Sequence, residues 1–116
     1  MLLMDGELNW SPVPSVPSDV PFNVLDIGTG TGKWAIEFAK KHPNARVTGT
    51  DLSAIQPAED VPKNVSWVRE DSENVDWTYG EKFDLIHFRM TFTCFKDPKV
   101  VIKKALNQLK PGIYFP

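Results

Sequence analysis

Three glycines alternate at Gly28, Gly30 and Gly32, with Asp26 two residues ahead of the first and Lys33-Trp34 directly after the last. Glycine reaches positive φ without steric penalty and carries no Cβ, so the chain can turn sharply while a ligand presses against its amides. The run before the turn, Val24-Leu25-Asp26-Ile27, reads as a short apolar strand, and the residues after it open a helix. Helix N-terminal N–H groups then point into the crevice at the strand's end, a seat for a polar or anionic ligand group. Asp51 ends a second apolar run, Arg46-Val47-Thr48-Gly49-Thr50, and a carboxylate there suits acceptance from two ribose hydroxyls. Asp71 stands in the same relation to a third run, Val65-Ser66-Trp67-Val68-Arg69-Glu70. The pattern is that of a nucleotide-cofactor turn.

Spacing separates the cofactor classes. A dinucleotide fingerprint counted from Gly28 needs its third glycine at position 33, where this chain has Lys33. A phosphate-cradling loop needs four residues before its Gly-Lys pair and a Ser or Thr after it; here three residues separate Gly28 from Gly32, and Trp34 takes the hydroxyl's place. What remains is Asp-x-Gly-x-Gly-x-Gly, which resembles motif I of the class I S-adenosylmethionine-dependent methyltransferases. The order of Asp51, of Asp71, of the fourth run Phe83-Asp84-Leu85-Ile86-His87-Phe88 leading to Arg89, and of Leu109-Lys110-Pro111-Gly112 is similar to that family throughout. A narrower likeness, to the fungal methyltransferases related to the velvet-complex regulator of secondary metabolism, rests on several segments. These are Leu52-Ser53-Ala54-Ile55-Gln56-Pro57, Asp76-Trp77-Thr78-Tyr79, Ile86-His87-Phe88-Arg89, and Leu2-Leu3-Met4-Asp5-Gly6-Glu7-Leu8 followed by Pro12-Val13-Pro14.

The resemblance implies S-adenosylmethionine as cofactor and methyl transfer to an unidentified acceptor, a small molecule or a protein. It implies a cofactor set of Asp26, Gly28, Thr29, Gly30, Gly32, Asp51, Leu52, Asp71 and Ser72. The glycines would meet the methionine moiety, with Asp26 reaching its ammonium directly or through water; Asp51 would take the ribose and Asp71 the adenine amino group. No catalytic residue is assigned, because displacement at an already activated carbon needs chiefly alignment in a dry site. Plainer readings stand beside these. The glycines could form an ordinary tight turn, Asp51 could cap its loop, and Asp71 lies in the charged run Glu70-Asp71-Ser72-Glu73, typical of a solvated surface. Trp77 is either packing or adenine stacking. His87 in an apolar strand reads as a buried, satisfied histidine, with no second His at metal-ligand spacing near it. Cys94 reads as a small buried hydrophobe. Arg89, Met90 and Thr91, ending the fourth strand, would shape the acceptor pocket.

These residues must be placed by a sheet. The fold implied is α/β: an incomplete doubly wound, Rossmann-like parallel sheet with strand order 3-2-1-4, counted from the strand before the glycines, and strand five cut short. Trp34, Ala35, Ile36, Phe38 and Ala39 predict a helix from Gly32 to about His42, closed by Pro43. A second helix starts with Asp97 as cap and Pro98 in the first turn, and packs through Val101, Ala105 and Leu109, with Val100 and Ile102 widening the face. Pro57, Pro62 and Gly80 argue against regular helices over 53–64 and 72–82, which would leave one sheet face poorly covered. Residues 1–22, with Pro12, Pro14, Pro17 and Pro21, are expected to form an extended arm, either linker or cofactor lid, barred from regular helix or ladder, with Met1 entering from the end of an upstream helix. Residues 23–116 form the cofactor domain, expected to be the N-terminal half of a methyltransferase whose acceptor surface lies elsewhere. Strand four without a complete fifth strand leaves an apolar edge for self-association.

The 116 residues suffice for one core. Net charge is −2 without a clustered basic segment, which argues against nucleic acid. One cysteine allows neither an internal disulfide nor a thiolate metal cluster and suits a reducing compartment. No apolar run approaches membrane-spanning length. The expected location is intracellular, cytoplasmic or nuclear. Two rival functions remain: a non-catalytic binding or interaction protein on the same fold, and an NAD-dependent oxidoreductase, which keeps Asp51 but stumbles at Lys33.

Overall fold

The computed structural model describes residues 2–5, 21–52, 55–71, 73, 82–89 and 96–110. Among these described residues, five parallel strands and two helices follow in the order β1 (Leu2–Asp5), β2 (Phe22–Ile27), α1 (Lys33–Lys41), β3 (Ala45–Asp51), β4 (Val65–Arg69), β5 (Leu85–Arg89) and α2 (Pro98–Gln108). The sheet order is β1-β5-β2-β3-β4. Counted from the strand before the glycines, its last four members give the expected 3-2-1-4.

β2 is central because its side chains can be buried on both faces. Val24 and Leu25, neighbours in sequence and opposite in direction, are both fully buried. One face packs Val24, Val47 and Leu85 under α1 through Trp34, Ala35, Phe38 and Ala39. The other packs Leu25, Ile27, Ile86 and Phe88 under α2 through Val101, Ala105 and Leu109. Each face thus has a helix, correcting the expectation of a poorly covered face. No helix occurs among the described residues of 53–64, as the prolines predict. β4 alternates half-buried and exposed residues from Val65 to Val68 and ends on an exposed Arg69, as an edge strand can.

Helix boundaries follow local chemistry. Gly32 caps α1 in the left-handed region, and at the other end the His42 amide closes on the Phe38 carbonyl before Pro43. The Asp97 side chain accepts the Lys99 amide at 3.1 Å, with Pro98 in the first turn of α2. Val100 departs from expectation: it is 37 % exposed, one position off the stripe that carries Val101 and Ala105 inward.

Leu2–Asp5 is a further correction. It pairs with β5 over Ile86–Arg89 instead of ending a helix or remaining unladdered. The prolines that forbid a ladder begin only at Pro12, so they place no bar on these four residues. The apolar edge expected on the fourth strand of the motif is therefore covered by β1. At the start of the same lane Leu109 bridges Phe83, with the Lys110 amide donating to the Phe83 carbonyl at 2.9 Å. The predicted fifth strand, like Trp77, Met90, Thr91 and Cys94, lies outside the described residues.

Candidate functional site

The glycine turn leaves the C-terminal end of β2. Gly28, Gly30 and Gly32 have φ of 68°, 59° and 82°, all left-handed. A Cβ on Gly28 or Gly30 would meet nothing within 4 Å, so the backbone faces open space at both positions. Gly32 differs: a Cβ there would strike the Trp67 ring. Two of these glycines border a space that a ligand could enter, and the third lets an indole pass.

The turn is anchored both to the neighbouring strand and within itself. The Thr29 amide donates to the Thr50 carbonyl at 2.9 Å, the Gly30 amide to Asp51 Oδ2 at 2.8 Å, and the Gly32 amide to the Thr29 carbonyl at 2.9 Å. Gln56 Nε2 donates to the Gly30 carbonyl at 2.6 Å, so the N–H and the C=O of Gly30 are each held by a side chain, one from β3 and one from the loop after it. That loop is fixed in turn from β4, since Trp67 Nε1 donates to the Pro57 carbonyl at 3.0 Å and Arg69 Nε to the Leu52 carbonyl at 2.9 Å. Gln56, in a loop held through Leu52 and Pro57, thus braces the turn.

Beneath the turn, one register row crosses the sheet: Trp67 beside Gly49, Gly49 beside Asp26, Asp26 beside His87. Because Gly49 has no side chain, the Trp67 ring and the Thr29 hydroxyl both fit above it; an added Cβ would lie 2.6 Å from the ring and 2.9 Å from Thr29 Oγ1. Asp26 is 2 % exposed. Its Oδ2 accepts the Thr29 hydroxyl at 2.7 Å, and its Oδ1 lies 2.6 Å from His87 Nδ1. The His87 ring stacks on Trp34 of α1 with centroids 3.9 Å apart and planes 3° from parallel.

The sequence-predicted set is therefore divided. Gly28, Gly30 and Asp51 gather around the open side of the turn, and Asp51 is half-buried. Asp26 and the Thr29 side chain face inward and bond to each other, so in this conformation Asp26 supports the turn from below. Leu52 is largely exposed. Asp71 is half-buried two residues beyond the end of β4, and its Oδ1 accepts the Glu73 amide at 3.2 Å. Ser72 lies outside the described residues. Between Asp51 and Asp71, Glu70 donates its amide to the Asp51 carbonyl; burial raises its carboxyl pKa, an effect that Lys104 partly opposes. Gln56 and Trp67 were not singled out by sequence reasoning. Their signal was present in the Leu52–Pro57 motif and in the aromatic of the third strand, but only the fold shows what they touch.

The methyltransferase-domain family profile matches residues 10–115. The chain belongs to that methyltransferase family. Among relatives of this methyltransferase domain, the secondary metabolism regulator LAE1 of Cochliobolus heterostrophus is 45 % identical over 109 residues, covering 92 % of this chain and 34 % of LAE1. Methyltransferase pytC of Aspergillus terreus is 43 % identical over 90 residues, covering 77 % of this chain and 27 % of pytC. The protein-methionine methyltransferase laeA of Emericella nidulans is 39 % identical over 92 residues, 78 % of this chain and 24 % of laeA. The chain thus spans about a third or less of the length of these curated relatives. Among solved structures, the plantazolicin methyltransferase BpumL, in complex with a triazolic desmethylPZN analog and SAH, aligns with a TM-score of 0.66 at 26 % identity, over 78 % of this chain and 35 % of that one. A SAM-dependent methyltransferase from Geobacter sulfurreducens shares the fold at TM-score 0.64 and 21 % identity, over 80 % of this chain and 39 % of that one. No helix among the described residues is long and apolar enough to cross a membrane.

Proposed function

We propose that this methyltransferase domain binds S-adenosylmethionine at the glycine turn and serves an enzyme that methylates an acceptor, a small molecule or a protein, in fungal secondary metabolism. The observation that carries this reading is the space beside Gly28 and Gly30, where positive φ and missing side chains leave backbone open to a ligand next to Asp51. The residues fit the cofactor: Gly28 and Gly30 would admit its methionine part, Gly32 would let the turn close over Trp67, Asp51 would take its ribose hydroxyls, and Asp71 its adenine. Thr29, Leu52 and Ser72 complete the set by resemblance, and Asp26 shapes the turn from beneath. When bound, the cofactor supplies a methyl carbon already activated by a sulfonium. The chain's own part is to hold the donor in one orientation and shield it from water.

Support comes from both kinds of relative. BpumL and the Geobacter enzyme were crystallised with SAH, and LAE1 and laeA carry names that tie them to secondary metabolism or methyl transfer. An intracellular place, cytoplasmic or nuclear, accompanies the reading. Calorimetry with S-adenosylmethionine, S-adenosylhomocysteine and NAD tests it. Binding of the first two at about micromolar strength, absent for NAD and lost in Asp51→Ala and Gly30→Val, is the expected result. A folded chain that gives no heat with either overturns it, and binding without turnover on any acceptor favours a non-catalytic binding module.

A further inference from the structure

The buried pair Asp26–His87 sits under the residue on which the turn hangs. Thr29 is held by its amide on Thr50, by its carbonyl on the Gly32 amide, and by its hydroxyl on Asp26 Oδ2. With Thr29 so fixed, Gly28 and Gly30 take the left-handed conformations that open the site. Asp26 can hold the Thr29 hydroxyl in one place only if its own carboxylate is fixed. That is the work of His87: the two are register partners in the parallel ladder, and the Nδ1–Oδ1 separation is 2.6 Å. With the carboxylate ionised, the bond requires the proton on Nδ1, because an ionised carboxylate only accepts. Trp34, stacked on the imidazole, sets the plane of the ring and so the direction of that N–H. A charge-assisted bond in a buried place is both short and strongly orienting.

We propose that His87 is a positioning residue for the glycine turn, acting through Asp26 on Thr29, and that its Nδ1–H, not merely its bulk, keeps the turn in its ligand-ready shape. The consequence for S-adenosylmethionine affinity rests on the function proposed above; the consequence for the turn does not.

The experiment follows amide hydrogen exchange by NMR in the full chain without ligand, then titrates S-adenosylhomocysteine into the same samples. His87→Phe keeps an aromatic ring over Trp34 and removes the donor. His87→Asn places an amide N–H near the position of Nδ1. Should His87→Phe fail to fold, His87→Leu, which carries no donor, takes its place. In the donor-deficient variant, exchange at the Thr29 and Gly32 amides is expected to rise about tenfold, while Val24 and Val47 in the core strands keep their protection. His87→Asn returns the turn amides to within about threefold of wild type, in line with the worth of one hydrogen bond. Unchanged turn amides in a folded donor-deficient variant, or His87→Asn behaving no better than that variant, would overturn the proposal. S-adenosylhomocysteine affinity should follow the same order; a wild-type chain that shows the exchange pattern but binds no S-adenosylhomocysteine would sink the cofactor reading and leave the positioning role standing.

Discussion

Asp26 and Asp51 stand at the same end of adjacent strands, and the sheet gives them opposite environments. Asp26, inside the register row under α1, is 2 % exposed and bonded to His87 and Thr29. Asp51, at the last position of β3, is half-buried beside the open space of the turn and accepts the Gly30 amide. One carboxylate is committed to the protein's interior, and the other stands where a ligand could meet it. The difference comes from two register steps: Asp26 is paired on both sides, with Gly49 and His87, and roofed by the turn, whereas Asp51 has passed the end of β2. Residue type at a strand end therefore does not define a role; the covering elements do.

The comparison makes stability and binding separable. Asp26→Ala strips partners from two buried polar side chains and should lower unfolding free energy by about 3 kcal/mol, read from the urea midpoint at constant m-value; a loss under about 1 kcal/mol would contradict the interior role. Gly49→Ala forces a Cβ against Trp67 and Thr29 and should cost about 1–3 kcal/mol, with a change in tryptophan fluorescence as the indole is displaced. Asp51→Ala should leave unfolding within about 1 kcal/mol of wild type while weakening S-adenosylhomocysteine at least about tenfold by calorimetry. If Asp51→Ala instead unfolds the chain as readily as Asp26→Ala, the two carboxylates are not different in kind.

The smallest effect is one of pH and lies at the far end of α1. Burial and the neighbouring Lys41 charge lower the pKa of His42 below its ordinary 6.5. A histidine whose folded pKa is lowered binds fewer protons folded than unfolded, so its contribution is intact above about 6.5 and declines as pH falls through that value toward the folded pKa. His42→Gln should flatten a shallow fall in thermal midpoint over that window, leaving the turn and both aspartates unaffected. A fall of the same depth in the variant would assign it to other groups.

Much of this arrangement is local and was legible. The alternating glycines at a strand's end, the Asp97-Pro98 start of α2, and the Pro43 stop after α1 each depend on backbone conformations that a few neighbouring residues dictate. His87 read as a buried and satisfied histidine because an apolar strand leaves a polar side chain no water to turn to, and it is 1 % exposed. Val100 was misplaced because an apolar stripe one residue too wide is still compatible with helical spacing. The pairing of Leu2–Asp5 with β5 went unseen because its partner is more than eighty residues away along the chain.

From sequence alone came the α/β class, the order of the four motif strands, the turn with its candidate ligands, and the family to which the chain is similar. These follow from periodicity, from the steric freedom of glycine, and from motif spacing, all readable within a few turns of chain. Only the tertiary structure decided that Asp26 looks inward and Asp51 outward, that Gln56 and Trp67 brace the turn, and that Gly49 makes room for both indole and hydroxyl. Those facts depend on which residues share a register row across strands distant in sequence, and no local pattern encodes that distance.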